Sequence, residues 1–273
     1  MIIESKIIYS KSRTFVIHVK DSGNDGNINE YIIKMGGIRN EVQSYFETKI
    51  NHINIAKVVD YDDDDTIYNE ILKSNLTTRN ENWLKLFQDP NYLYDKRCLV
   101  FEKNYSDIFK HPNNVSINGV KEITGFEYVD CLSIKLSFLF QILQVSKYLH
   151  LKKNICHSDM TFRNVWFKDT SDEIIDYGEY KLSSYGFLLQ LGDFGETKII
   201  SGKCNDLLFV VKNLVNDSIH YFNKCNNTLL FDISVFDDFL LTYDEIYKLS
   251  ETAISEENYS ILLNHEIFTL VLN

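Results

Sequence analysis

Three oxygen-bearing side chains stand at spacings that could organise a charged ligand around a reacting hydroxyl. Asp159 and Asn164 lie five positions apart in His157-Ser158-Asp159-Met160-Thr161-Phe162-Arg163-Asn164, and Asp193 follows Asn164 by twenty-nine positions in Leu191-Gly192-Asp193-Phe194-Gly195. Phosphoryl transfer asks little covalent chemistry of a protein. It needs two carboxylate or amide oxygens to hold Mg²⁺ on a triphosphate and one carboxylate to orient the incoming hydroxyl. Asp159, Asn164 and Asp193 can supply all three. The step from Asp159 to Asn164 is long enough to turn the chain, so that one side chain faces an acceptor and the other a metal. Gly195 is expected to free the backbone after Asp193. Taken singly, Asp159 reads as a turn cap and residues 193–195 as a hairpin exit; the constellation is what favours chemistry.

The elements that must position these residues can be read from pattern. A periodic helix over Ile134 to Leu151, with Leu136, Leu139, Phe140, Leu143, Tyr148 and Leu149 apolar, ends at Lys152-Lys153-Asn154 and delivers the chain to Asp159. Leu182 to Leu191 reads as strand, and Asn205 to Phe222 as a buried helix, with more helices in the last fifty residues. Upstream, short β-branched segments predict five strands at Lys6–Tyr9, Thr14–Val19, Tyr31–Met35, Ile55–Tyr61 and Cys98–Glu102. One amphipathic helix is expected over Ile38–Ile50. Residues 62–97 interrupt this β-rich part with the acidic run Asp62-Asp63-Asp64-Asp65, read as a solvated loop, a helix near Thr66–Ser74 and a polar stretch.

With 273 residues, 44% hydrophobic and 25% charged, the chain suits one large domain or two joined lobes, and disorder is excluded. A net charge of −11 disfavours nucleic acid as a partner. No apolar run approaches the length of a membrane span and no secretory signal is visible, so an intracellular, cytoplasmic protein is expected. The five cysteines, Cys98, Cys131, Cys156, Cys204 and Cys225, form no CxxC pair and read as reduced packing thiols rather than a disulfide framework or zinc site.

The segments His157–Asn164 and Asp193-Phe194-Gly195, in that order and with a hairpin between them, resemble the catalytic loop and metal-binding turn of the protein kinase family. The resemblance implies an α+β bilobal fold, with a β-rich N-terminal lobe over residues 1–103, carrying an insertion at 62–97, and a mostly helical lobe over 104–273. It implies ATP in the cleft, Mg²⁺ on Asn164 and Asp193, and Asp159 as the residue that orients the acceptor. In Tyr31-Ile32-Ile33-Lys34, Lys34 matches the strand lysine that grips ATP phosphates. Glu41 is its expected ion-pair partner, with Glu47 as the substitute because Glu41 follows at a short spacing. Cys98–Asn104 is similar to the fifth strand and hinge, which implies Phe101 at the gatekeeper and the backbone of Glu102 and Asn104 against adenine.

The departures from the family are specific. Tyr9, Lys11 and Thr14 stand where the glycine-rich loop has glycines, and Ser10, Lys11, Ser12 and Arg13 are the residues that could compensate. Ser158 replaces the usual arginine, and only ten residues separate Gly195 from Asp206, so no phosphorylated activation loop is expected. Thr161 stands where Ser/Thr kinases carry lysine, and Arg163 matches an arginine common in tyrosine kinases, a cation able to steady the transferred group. The reading is a monomeric, atypical protein kinase acting on a protein Ser/Thr hydroxyl. The alternatives are a pseudokinase that binds a partner and a small-molecule kinase of the aminoglycoside or choline kinase type.

Overall fold

The computed structural model describes residues 1–11, 13–23, 26–78, 80–102, 128–160, 164–204, 206, 211–212, 214–216, 218–219, 234–250 and 254–273. The chain divides into two compact units, one of Met1–Asn51 with Ala56–Asn104 and one of His52–Ile55 with Tyr105–Asn273. The fold is α+β, with a β-rich first unit and helices concentrated in the second.

In the first unit, β1 (Ile2–Lys11), β2 (Thr14–Ser22) and β3 (Ile28–Met35) form an antiparallel meander. Phe15, Ile17 and Val19 of β2 are buried while Val16, His18 and Lys20 between them are only half-buried, the two-residue period of a strand with one face on a core. A short helix, α1 (Arg39–Val42), continues into a wider π-type turn at Gln43–Glu47. The helix expected over 38–50 is therefore shorter and loosens at its C-terminal end, where Phe46 is 46% exposed. The fourth strand begins later than expected: β4 spans Val58–Asp62, whereas Ile55 bridges in parallel to Leu191 within the second unit.

The segment 62–97 carries the helix expected near Thr66–Ser74 and more structure than its polar composition suggests. It contains α2 (Thr66–Lys73), β5 (Asn75–Thr78) and α3 (Glu81–Gln88). Strand β5 pairs in parallel with β1, which closes a six-stranded sheet of order β4-β6-β3-β2-β1-β5 with β6 (Cys98–Glu102). Tyr68, Ile71, Phe87 and Leu93 from this segment join Ile7, Phe15, Ile17, Val19, Ile33 and Met35 in one core. The Phe15 and Phe87 rings meet edge-on at 5.1 Å, a contact that contributes about 0.5–1.5 kcal/mol beyond area burial. The acidic run also works locally. Asp62 is 9% exposed and its carboxylate accepts the N–H groups of Asp64 and Ile67, and Asp64 accepts that of Thr66, so donors at the start of α2 are satisfied. Burial raises the Asp62 carboxyl above its ordinary range, and the hydrogen bond from Thr66 lowers that of Asp64.

In the second unit, α4 (Tyr128–Lys147) passes into another π-type turn at Tyr148–Lys152. Residues 132–146 are buried on every face, polar Ser137 and Gln141 included, so α4 is a central helix rather than an amphipathic surface one. Gln141 accepts the Leu189 N–H and the Asn54 amide, and Asn54 also reaches the Leu189 carbonyl. These bonds tie residues 52–55 to this unit. Three short strand pairings follow from β7 (Ile155–Cys156), β8 (Val165–Asp169), β9 (Ile174–Asp176), β10 (Lys181–Ser183), β11 (Phe187–Leu191) and β12 (Lys198–Ile199). β8 pairs with β11, β9 with β10 inside that hairpin, and β7 with β12. Helices α5 (Ser234–Leu249) and α6 (Glu256–Leu263) complete it, with Phe236, Phe239 and Tyr243 of α5 fully buried.

Candidate active site

Within the second unit, the register of β8 on β11 brings the key residues to one end of a hairpin. Val165 pairs with Leu191, and beyond that pair the Gly192 N–H donates to the Asn164 carbonyl at 2.9 Å. Asn164 and Asp193 therefore leave the same end of one ladder. Asn164 is 4% exposed, and its amide nitrogen donates to both the Asp159 carbonyl, at 2.7 Å, and the Asp159 carboxylate, at 2.9 Å. One side chain thus clasps the other and leaves its own amide oxygen as the acceptor it can offer. Asp193 sits at φ 59°, ψ 63°, so the left-handed turn is taken by the aspartate itself, whereas Gly195 lies in a single 3₁₀ turn without positive φ. The expected role of Gly195 is corrected accordingly. A Cβ there would lie 3.4 Å from the Asp193 carboxylate, an ordinary contact.

His157 anchors this loop. It is fully buried, its Nε2–H donates to the Gly192 carbonyl at 2.9 Å, and its Nδ1 faces the Asp159 N–H at 3.4 Å. The Phe194 ring packs on it at 4.7 Å. Burial lowers its pKa despite the raising influence of Asp206, Asp193 and Asp159, so the ring is a neutral strut with both nitrogens assigned. Behind it, the Asp206 carboxylate accepts the N–H groups of His157 and, at 2.6 Å, Ser158, the latter held at φ 66°. In the sequence Asp206 reads only as the start of a buried helix, and His157 carries no separate role. The available signal was a carboxylate opening an otherwise apolar run, which is costly unless hydrogen-bonded.

In the first unit, the Lys34 Nζ and Glu41 Oε2 atoms are 2.6 Å apart, with side-chain exposures of 14% and 1%. The partner is Glu41, while Glu47 is exposed. The β1–β2 connection is a two-residue hairpin turn, since Lys11 pairs with Thr14. Arg13 takes φ 68° and lays its guanidinium 5.1 Å from the centre of the Tyr94 ring, which commits that cation locally. Gly36 is required there: a Cβ would meet the Arg13 carbonyl at 2.3 Å. Phe101 is 1% exposed and packs edge-on against Tyr45, and the Glu102 N–H is taken by the Lys57 carbonyl, so a backbone contact from Glu102 to adenine has to use its carbonyl. Asn104 and Arg163 lie outside the described residues.

One expectation is overturned. Cys156 and Cys204 form a disulfide with Cα atoms 5.9 Å apart, where reduced thiols were expected; Cys98 is free and buried. A separation of 48 residues carries no spacing signal. The pairing of β12 with β7 is what returns the chain leaving Asp193 to the side of Cys156. Next to this bond is a cavity of about 460 Å³ lined by residues including Ser158, Asp159, Lys198 and Lys203, with Lys198, Ser201, Gly202 and Lys203 exposed at its rim. Among the described residues no helix is long and apolar enough to cross a membrane.

No protein-family model and no curated protein matches the chain. Among solved structures it is similar to the BubR1 kinase domain, with 13% identity and a TM-score of 0.40 over 71% of this chain; it spans 46% of that one.

Proposed function

We propose that the chain is an ATP-dependent phosphotransferase of the protein kinase type, acting on a protein Ser/Thr hydroxyl. The observation that carries this is the clasp of Asn164 on Asp159 with Asp193 at the same hairpin end, three residues with hard oxygen donors brought to one end of a ladder. The Asn164 amide oxygen and the Asp193 carboxylate suit Mg²⁺, which prefers oxygen ligands. When bound, the metal neutralises charge on the transferred phosphoryl group. Asp159 then orients the acceptor hydroxyl and takes its proton, and the Asn164 amide fixes the carboxylate for that task. His157 and Asp206 hold the loop's backbone. Lys34, aligned by Glu41, is the cation for the nucleotide phosphates, and Arg163 is a second cation for the transferred group.

The exposed rim beside Asp159, with Lys198 and Lys203 on it, supports a macromolecular acceptor over a small polycation held in a closed acidic pocket. The pseudokinase reading has one observation in its favour, the tight Lys11–Thr14 turn in place of a glycine-rich phosphate cradle. The deciding experiment is transfer of labelled phosphate from MgATP to a mixed protein extract, beside Asp159→Asn. Label in extract proteins that disappears in the variant is the expected result. A folded wild-type protein that binds MgATP and labels no more than the variant would establish the binding-module reading instead.

A further inference from the structure

Four potential metal ligands converge behind the catalytic loop: His150 from the turn after α4, Cys156 from β7, Cys204 and Asp206. Their ligand atoms all lie within 4.8 Å of one another. The His150 Nε2 is 3.2 Å from the Cys204 sulfur and 3.5 Å from Asp206 Oδ2. Ligand atoms around a tetrahedral zinc, with bonds of about 2.0–2.3 Å, stand roughly 3.3–3.8 Å apart, so the imidazole is already at nearly that spacing from the carboxylate and from one sulfur. Nε2 thus faces a carboxylate oxygen and a sulfur together, the arrangement that a shared metal requires.

The surroundings match what a zinc site needs outside its ligands. The other nitrogen of His150, Nδ1, is 2.8 Å from the hydroxyl of fully buried Tyr259, which orients the ring with Nε2 toward the sulfurs. The Asp206 carboxylate is held by two backbone N–H groups, from His157 and Ser158, and each oxygen keeps a lone pair for a cation. The cavity along Cys156 and Cys204 gives an entry path from solvent. Two thiolates with one imidazole form a soft donor set that selects Zn²⁺ over Mg²⁺ or Ca²⁺.

We infer that His150, Cys156, Cys204 and Asp206 form a zinc site when the Cys156–Cys204 bond is reduced, the disulfide being the oxidised, metal-free state of the same site. A thiol reductant supplies two electrons and two protons, the S–S bond breaks to two thiols, and the reductant leaves as its own disulfide. Both thiols then release their protons to solvent as the sulfurs bind the metal. The inference is independent of the phosphotransfer reading, because its readout is metal content.

The test uses the full chain, reduced with a water-soluble phosphine that leaves as phosphine oxide, until five thiols titrate in denaturant. The native reduced protein is loaded with Zn²⁺, desalted and assayed for metal. One equivalent per chain is expected from the reduced protein and none from the oxidised one. Cys156→Ser and Cys204→Ser should each bind zinc at least tenfold more weakly, while Cys98→Ser keeps one equivalent. Co²⁺ in place of Zn²⁺ should give the intense visible bands of tetrahedral coordination with thiolate-to-metal charge transfer. Reduced, folded protein that retains no zinc would overturn the inference, as would zinc held equally by the oxidised chain or by the serine variants. If the serine variants fail to fold, the oxidised-against-reduced comparison and the Co²⁺ spectrum of the wild-type chain decide alone.

Discussion

The loop from His157 to Asn164 and the turn from Lys11 to Thr14 are the two places where a phosphotransferase would meet its reacting groups, and they are built on opposite principles. The described residues of the first are held redundantly. Asp206 takes two of its N–H groups, His157 bonds to Gly192, and Asn164 grips Asp159 through both carbonyl and carboxylate. The second is a two-residue turn fixed by Arg13 on Tyr94 and by the close approach of Gly36. Side-chain oxygens must stand at defined points and therefore demand particular residue types. A phosphate cradle is made of backbone N–H groups, which many sequences can offer. On the proposed reading, the oxygen donors of the loop are under tight geometric control, whereas the described residues of the turn are held by contacts within the first unit.

The largest effect that tests this contrast lies in the loop. Asp159→Asn should lower phosphoryl transfer by about 10²–10⁴-fold, the usual contribution of a positioned base, with MgATP affinity unchanged. Asp193→Asn should abolish metal-dependent turnover and weaken MgATP binding as well. Equal loss of nucleotide binding in both variants would mean that Asp159 holds the nucleotide, and the division of labour would fail. Next in size is the Lys34–Glu41 pair. Lys34→Met removes the ammonium beside the buried Glu41 carboxylate, which should cost about 3–5 kcal/mol in urea unfolding, and the double variant Lys34→Met with Glu41→Leu should recover most of it. A single variant as stable as the wild type would show that the pair is not held desolvated.

What could be read from the sequence follows the same division. Asp159, Asn164 and Asp193 were legible because oxygen donors at fixed spacing announce themselves, and Glu41 because it follows the strand lysine on the next helix. The α+β division was legible from the change between two-residue and helical periodicity. Asp206 was not, since its partners are backbone N–H groups 48 and 49 residues away and leave no mark in local pattern. Nor was the Cys156–Cys204 bond, which depends on β12 returning beside β7. The acidic run and polar stretch of 62–97 read as surface because composition does not show that Tyr68, Ile71 and Phe87 share one core with β2. The shift of β4 has the same origin: Ile55 reads as a strand residue, yet the polar bonds of its neighbour Asn54 with Gln141 and Leu189 hold that segment within the second unit.

That polar network gives a third test, through pH. His52 packs on Tyr148 and Tyr177 and accepts the Asn54 N–H on Nδ1, and burial lowers its pKa to about 4. Its folded pKa lies below the ordinary value near 6.5, so the neutral ring contributes stability that is fully present above pH 6.5. That stability is lost as pH falls from 6.5 towards 4, by about 3 kcal/mol at most. His157, also held neutral by burial, acts in the same direction. Unfolding free energy measured between pH 7 and 4 should fall accordingly, and His52→Gln should flatten the curve by roughly the His52 share. An unaltered slope in that variant would place the acid sensitivity elsewhere and remove His52 from the support of β11.

The smallest effect bears most directly on the contrast. Arg13 stands at positive φ, which costs a non-glycine residue about 1–2 kcal/mol, and its guanidinium recovers part of this on Tyr94, about 0.5–1 kcal/mol at an exposed site. Arg13→Ala keeps the strain and loses the ring contact, so it should destabilise by about 0.5–1 kcal/mol. Arg13→Gly relieves the strain as it removes the contact, and should be close to neutral. If the turn is scaffold, neither change touches nucleotide, and MgATP affinity by calorimetry should move by less than about threefold, under 1 kcal/mol. If Arg13→Ala instead weakens MgATP tenfold or more while Arg13→Lys restores it, the cation serves the phosphates after all. The turn would then be a second, cationic solution to the problem that glycines usually solve with backbone N–H groups, and the contrast between the two regions would be one of chemistry rather than of commitment.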